Sequence, residues 1–341
     1  MTLARNPKIA LVAVVACLAT GIMASSAVAA GSLTGAGSTL VAPLEAYWAQ
    51  EFQHQYGDTV TYAAVGSGAG IAQISARTVD FGASDAPLTS AQATECNGCV
   101  QIPWALTATG IAFHLEGIRK LDLTGPIVAE IFLGKITNWD SPAIAKINKG
   151  VNLPNLAITP VFRSDGSGDT YAFTDYMSKV SPTWKGQVGN ATSVNFPAGV
   201  GGKGNDGVTA VVSSTNGAIG YISASYIVAH KLGAAALQNA AGNYEYPNLS
   251  NIEEAAQMVK HMLPNNEMHI VDPPKKYRKA YPLSTFTYAL VPKNAPQRQL
   301  LASWIYYAMT AGQKFGAALD FAQIPKVVLN AGVKTVKELQ Q

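Results

Sequence analysis

Cysteine is nearly absent. The chain has three in 341 residues, and Cys17 falls in an N-terminal leader, so only Cys96 and Cys99 remain to form a covalent link and a disulfide-stapled scaffold is excluded. Charge is also sparse, at 13% of residues. Of the 24 lysines and arginines, Arg5 and Lys8 belong to the leader, which leaves 22 basic against 21 acidic residues. That near balance lacks the concentrated basic patch that a nucleic-acid surface needs. The one basic cluster, Lys275, Lys276, Arg278 and Lys279 beside Pro273-Pro274, reads as a solvated loop, with a partner contact as the alternative. Beyond the leader no run is long and apolar enough to span a bilayer. His54, His114, His230, His261 and His269 lie far apart with no metal-ligand spacing. No Gly-x-Ser-x-Gly elbow occurs, so neither a metal nor a cofactor is implied. Gly199-x-Gly201-x-x-Gly204 fits the dinucleotide fingerprint by count alone, but it follows Phe196-Pro197 rather than a strand. There is no repeat or stalk of the kind an adhesin would show.

The leader has a charged start at Arg5 and Lys8, an apolar run from Ile9 to Ile22, and a small-x-small ending at Ser25-Ser26-Ala27-Val28-Ala29. These features predict a signal peptide over 1–29 and an exported protein, periplasmic or at the cell surface. Val14-Val15-Ala16-Cys17 also resembles a lipobox, which would anchor the chain through lipidated Cys17 but leave Leu18 to Met23 on the mature protein. In an exported chain, Cys96-Asn97-Gly98-Cys99 reads as a small disulfide loop. A redox site would want the first cysteine at a helix start, and zinc would need more ligands. The remaining chain, about 310 residues, is long enough for two compact lobes.

Three turns are rich in glycine and hydroxyl groups: Gly35-Ala36-Gly37-Ser38-Thr39, Gly66-Ser67-Gly68-Ala69-Gly70 and Asp165-Gly166-Ser167-Gly168-Asp169-Thr170. Each precedes a predicted helix. The first N–H groups of a helix have no internal partner and sit at the positive end of its dipole, so an oxyanion placed there finds donors without many cationic side chains. Leu44, Trp48, Phe52 and Tyr56 predict an amphipathic helix over 43–55. Thr59 to Val65, Val79 to Asp85 and Leu156 to Phe162 read as strands, with helices behind Ile71 and from Tyr171 to Val180. Leu300, Leu301, Trp304, Ile305 and Ala308 mark a late core helix. This alternation predicts open α/β architecture with ligand beyond the carboxyl ends of the strands. If the extended runs 102–115 and 281–291 cross between lobes, lobe 1 comprises 30–107 plus 284–341 and lobe 2 comprises 112–280.

Five segments carry a family resemblance: Thr34 to Thr39, Val79 to Leu88, Leu133 to Trp139, Arg163 to Gly168 and Gly201 to Gly207. Together they are similar to the periplasmic phosphate-binding protein of ABC phosphate importers, the PstS type, in the expected order over nearly all of the mature chain. The resemblance implies a two-lobed periplasmic-binding-protein fold of type II kind, with two α/β domains joined by two crossing strands and phosphate in the cleft. It implies a monomeric carrier that delivers inorganic phosphate to a membrane permease and its ATPase. The implied contacts are Thr39, Leu40, Ser67, Asp85, Arg163, Ser167 and Gly168. Leu40 stands where enterobacterial members have Phe. Asp169 stands where they have Thr, as in a second branch of the family, and two carboxylates would favour a doubly protonated phosphate.

Each position also has an ordinary reading. Arg163 could be a surface partner of Asp165. Asp85 could cap a helix beginning at Ala86-Pro87, Asp169 one beginning near Thr170, and Thr39 and Ser67 their own helices. The competing function is an exported phosphatase or hydrolase that uses a Gly-flanked serine, which would need a base held against it.

Overall fold

Eleven strands can be named in the computed structural model, which describes residues 30–341; the predicted signal peptide and Cys17 lie outside the described residues. They are β1 (Ser32–Gly37), β2 (Thr59–Ala64), β3 (Phe81–Ser84), β4 (Cys99–Phe113), β5 (Lys120–Leu123), β6 (Thr159–Arg163), β7 (Val200–Gly202), β8 (Ala218–Ser223), β9 (Gly233–Gln238), β10 (Tyr244–Glu245) and β11 (Ser284–Pro292). β1 runs parallel to β2 and β3, and β11 lies antiparallel between β3 and β4. From Thr109 onward β4 leaves β11 and pairs with β8 and β9. β8 continues in parallel to β6, and β6 to β7. The strands therefore form two sheets joined through β4, in a two-lobed α/β fold. The first sheet is built from both ends of the chain and the second from its middle. β4 can serve both because Cys99 to Phe113 contains no charged residue and is buried from Gln101 onward, as expected for a strand covered on both faces.

The helices begin and end where local chemistry dictates. Pro43 sits in the first turn of the Ala42–Tyr56 helix, and Gly57 ends it with φ of 81°, a left-handed conformation that glycine adopts without strain. The buried face of that helix places Trp48 against Trp104 and Trp304, with ring centroids 5.3 and 6.4 Å apart. The Trp48 indole N–H donates to the Gly312 carbonyl at 2.9 Å. Packing of this kind anchors the first sheet; truncating a buried tryptophan typically costs about 3–5 kcal/mol. Against the second sheet, Phe173 of the Gly168–Val180 helix stacks on Tyr221 of β8 at 4.4 Å and meets Phe132 at 4.8 Å.

Several predicted elements shift at their ends, and the strand expected over Leu156 to Phe162 runs over Thr159–Arg163 instead. The strand expected over Val79 to Asp85 is confined to Phe81–Ser84, because the Asp80 carboxylate accepts from the Thr34 N–H and hydroxyl at 2.7 and 2.9 Å and holds the chain before it. Asp85 then lies one residue past the strand. The helix expected from Tyr171 begins at Gly168, because the Ser167 hydroxyl accepts from the Thr170 N–H at 3.2 Å. Cys96 and Cys99 form a disulfide with Cα atoms 5.5 Å apart.

Glu45, on the buried side of the Ala42–Tyr56 helix, is 2% exposed, and its Oε1 has no hydrogen-bond partner. Burial pushes its carboxyl from 4.5 up to about 8. A raised acid binds more protons folded than unfolded, so the stability it contributes is full below its unfolded value and is lost as pH rises through about 8. The thermal midpoint of the wild-type protein should fall between about pH 5 and pH 8, and that of Glu45→Gln should fall less steeply. Parallel curves would contradict burial as the source of the slope.

Candidate anion-binding site

Arg163 ends β6 with its side chain 1% exposed. Its backbone N–H donates to the Tyr221 hydroxyl at 2.9 Å, so the aromatic stack behind the second sheet fixes where the guanidinium emerges. Nε and one terminal nitrogen donate to the two oxygens of Asp165 at 2.8 and 2.6 Å. The other terminal nitrogen donates to Asp169 Oδ2 at 3.0 Å. A guanidinium has five N–H groups, so one remains free on each terminal nitrogen. The surface pairing considered for Arg163 and Asp165 is instead a bidentate clamp of a buried guanidinium by a part-buried carboxylate, joined by the buried carboxylate of Asp169.

The carboxylates differ in what they have left to accept. Asp165 receives the Gly204 N–H at 2.9 Å as well as the guanidinium. Burial raises its pKa, but the hydrogen bond and charge of Arg163 outweigh that and hold it below the usual range. Asp169 is 0% exposed. Its Oδ1 accepts from the Thr109 hydroxyl at 2.7 Å, and its Oδ2 from Arg163 and from Asn205 Nδ2 at 2.8 Å. Burial raises it despite those partners. In Asp85, Oδ2 accepts from the Ser38 and Ser67 hydroxyls at 2.7 and 3.3 Å, while Oδ1 is buried with no hydrogen-bond partner among the described residues, although the Thr287 hydroxyl is near enough to the carboxyl to favour its charged form. Burial first, and then the charge of Asp169, push Asp85 up to about 7.

Backbone donors converge on the same place. The helices Ser67–Ser75, Gly168–Val180 and Gly204–Ser214 all begin here. The Gly168 N–H donates to the Ser67 hydroxyl at 3.1 Å, and the Gly68 N–H to the Gly166 carbonyl at 3.0 Å. Glycine is required by proximity: a Cβ on Gly168 would meet the Asp85 carboxyl, and one on Gly66 the Asp165 carboxylate.

Thr39, Arg163 and Asp169 thus share one hydrogen-bonded network through Asn205, and Ser67, Asp85 and Gly168 a second, the two meeting at the chain neighbours Ser38–Thr39 and Gly168–Asp169. Leu40 and Ser167 adjoin them, with the Leu40 N–H given to the Ser38 hydroxyl at 3.0 Å and the Ser167 hydroxyl capping its helix. The simple capping roles are not seen. No helix starts at Ala86; the next begins at Ser90 and is capped by Thr89. Asp169 lies in the first turn behind the Ser167 cap. The Thr39 hydroxyl accepts from Asn205, and the Ser67 hydroxyl bonds Asp85 and Gly168. Four contributors were not singled out from sequence: Ser38, Thr109, Asn205 and Tyr221. Ser38 and Asn205 lie inside glycine-rich motifs that were recognised. Thr109 and Tyr221 are isolated polar groups in apolar strands and gave no local signal. Among the described residues no histidine hydrogen-bonds to Ser67 or Ser167.

Residues 24–311 match the PBP superfamily domain. The phosphate-binding protein PstS of Xylella fastidiosa strain Temecula1 is 39% identical over 298 residues, covering 86% of this chain and 81% of that protein. PstS of Pasteurella multocida is 37% identical over 305 residues, covering 88% of each. Among solved structures, a human phosphate binding apolipoprotein superposes with a TM-score of 0.71 at 21% identity, over 88% of this chain and 93% of its own.

Thr109→Val keeps the shape of the side chain but removes the donor to Asp169 Oδ1. Leaving a buried carboxylate short of a hydrogen bond should cost about 1.5–3 kcal/mol in chemical denaturation, and Thr109→Ser should recover most of it. A loss below about 0.5 kcal/mol, within the range of a neutral surface change, would mean that Asp169 does not depend on this bond.

Proposed function

The chain belongs to the PstS phosphate-binding proteins of the PBP superfamily, and on that premise we propose that it binds inorganic phosphate with high affinity and delivers it to an ABC-type membrane permease. The observation that carries the reading is the open acceptor at Asp85 Oδ1, set among free guanidinium N–H groups, hydroxyls and helix starts. Above about pH 7, where Asp85 is ionised, its carboxylate can only accept. It therefore selects an oxyanion that carries a proton, which phosphate has and sulfate lacks at neutral pH.

In this reading the ligand is held by Thr39, Leu40, Ser67, Asp85, Arg163, Ser167, Gly168 and Asp169. Asp169 contributes mainly by holding Arg163, since three protein donors already reach it. The lobes are 30–107 with 284–341, and 112–280, with 102–115 and 281–291 crossing between them. The ligand closes them together, because neither lobe alone supplies both Asp85 and Arg163. The family is one of substrate-binding proteins rather than enzymes. Consistent with that role, the Ser67 and Ser167 hydroxyls are already committed to hydrogen bonds within the site and its helix cap. The mature protein works as a monomer with its permease and ATPase at the membrane, either free after removal of 1–29 or anchored through Cys17.

Titration calorimetry of the mature protein with phosphate and sulfate tests this directly. Phosphate should bind with discrimination on the order of ten-thousand-fold over sulfate, as for sites that use a ligand hydroxyl. Arg163→Ala should lose most of the affinity, because it removes the one cation facing three carboxylates. Equal binding of the two anions, or turnover of a chromogenic phosphate ester, would overturn the reading.

A further inference from the structure

Asn205 is 0% exposed and sits in the first turn of the Gly204–Ser214 helix. Its Oδ1 accepts from the Ser223 backbone N–H at 2.9 Å. That partner can only donate, so the amide has one allowed orientation. Both hydrogens on Nδ2 are then directed, one to Thr39 Oγ1 and one to Asp169 Oδ2, each at 2.8 Å. The Asn205 backbone N–H donates to the same Thr39 oxygen at 3.2 Å.

Two donated bonds fill both lone pairs of the Thr39 hydroxyl. Its single hydrogen is left to donate, and no acceptor among the described residues takes it. Thr39 follows β1 of the first sheet, whereas Asn205 packs with the second. The contact therefore joins segments 166 residues apart and exists only when the two parts of the chain are together.

We propose that Asn205 is a positioning residue for phosphate: by donating twice to the Thr39 hydroxyl across the lobes, it turns that hydroxyl into an obligate donor to a phosphate oxygen at the moment of closure. A free threonine hydroxyl can rotate to accept or donate, and accepting would present a lone pair to an anion. Asn205 removes that choice. Through its second hydrogen it also supports the Asp169 carboxylate against Arg163. The inference rests on the phosphate-binding reading above.

Calorimetry with inorganic phosphate on the full mature chain tests it in Asn205→Ala, Thr39→Val and the double variant. Loss of a hydrogen bond that supports a charged ligand corresponds to about 10- to 100-fold weaker binding. Asn205→Ala should show such a loss in the wild-type background, and at most about a threefold further loss when Thr39 is already Val, as expected for coupled residues. Asn205→Asp supplies a nearly isosteric second variant. When ionised, the introduced carboxylate accepts from Thr39 and withdraws its hydrogen from phosphate; when protonated, it can donate again. The ratio of its dissociation constant to that of wild type should therefore narrow as pH is lowered. Asp85, Asp165, Arg163 and Tyr226 surround the site in both proteins, so their own titration largely cancels in the ratio, whereas Asp169, 2.8 Å from the Asn205 amide nitrogen, titrates as a pair with the introduced carboxylate and sets the pH at which the ratio narrows. Wild-type protein that binds no phosphate would remove the functional reading itself. Wild-type binding with Asn205→Ala within about twofold of it, equal losses in the two backgrounds, or a ratio that does not change with pH would each overturn the role of Asn205 alone.

Discussion

Arg163 is the group on which the rest of the site depends. It is one buried cation gripped bidentately by Asp165 and bonded by Asp169, with the buried carboxyl of Asp85 close by. Burying an unpaired charge costs several kcal/mol, so Arg163 could not be held here without its carboxylates, nor they without it. The arrangement leaves formal negative charge in excess where an anion must enter. Long-range attraction cannot do the work; short-range donors must. This accounts for the convergence of helix starts and hydroxyls around the guanidinium; burial and the charge of Asp169 raise Asp85 to about 7, so its carboxylate is ionised and purely accepting only above that pH.

The geometry that permits this is set by topology and by small residues. β4 passes from one sheet into the other, and the first sheet takes both ends of the chain. Groups distant in sequence are thereby brought to one place, such as Ser67 and Gly168, separated by 101 positions. They can touch because Gly66, Gly68, Gly166 and Gly168 carry no side chains where the turns meet. A Cβ on Gly168 would occupy the space of the Asp85 carboxyl. Closeness and chemistry are thus two aspects of the same glycine-rich turns.

Much of this was legible in the sequence because it is local. A glycine-rich turn before a helix reads directly as a donor-bearing helix start, and Arg163 at a strand end before Gly-Ser-Gly stands out in a chain with few charges. The extended apolar run at 102–115 largely coincides with β4. What was not legible was the division of labour among polar groups. Asp85 and Asp169 are both acids next to glycine-rich turns, yet one retains a partnerless oxygen and the other is given three donors. That difference arises from Thr109 and Asn205, which are respectively 60 and 36 residues from Asp169; Thr109 carries no pattern of its own, and nothing in the Gly201 to Gly207 segment ties Asn205 to Asp169. Cap positions failed for a related reason: Ser167 outcompetes Asp169 for the helix start, a choice between favourable residues two positions apart that spacing alone does not resolve.

The central claim is that the partnerless oxygen of Asp85 reads the proton on the ligand. Asp85→Asn tests it most directly, because the amide preserves shape while giving the position a donor that can meet a fully deprotonated anion. Calorimetric affinities for phosphate and sulfate should converge in this variant, with sulfate binding rising by orders of magnitude relative to phosphate. If Asp85→Asn excludes sulfate as strictly as wild type does, selectivity resides elsewhere in the site and the account is wrong.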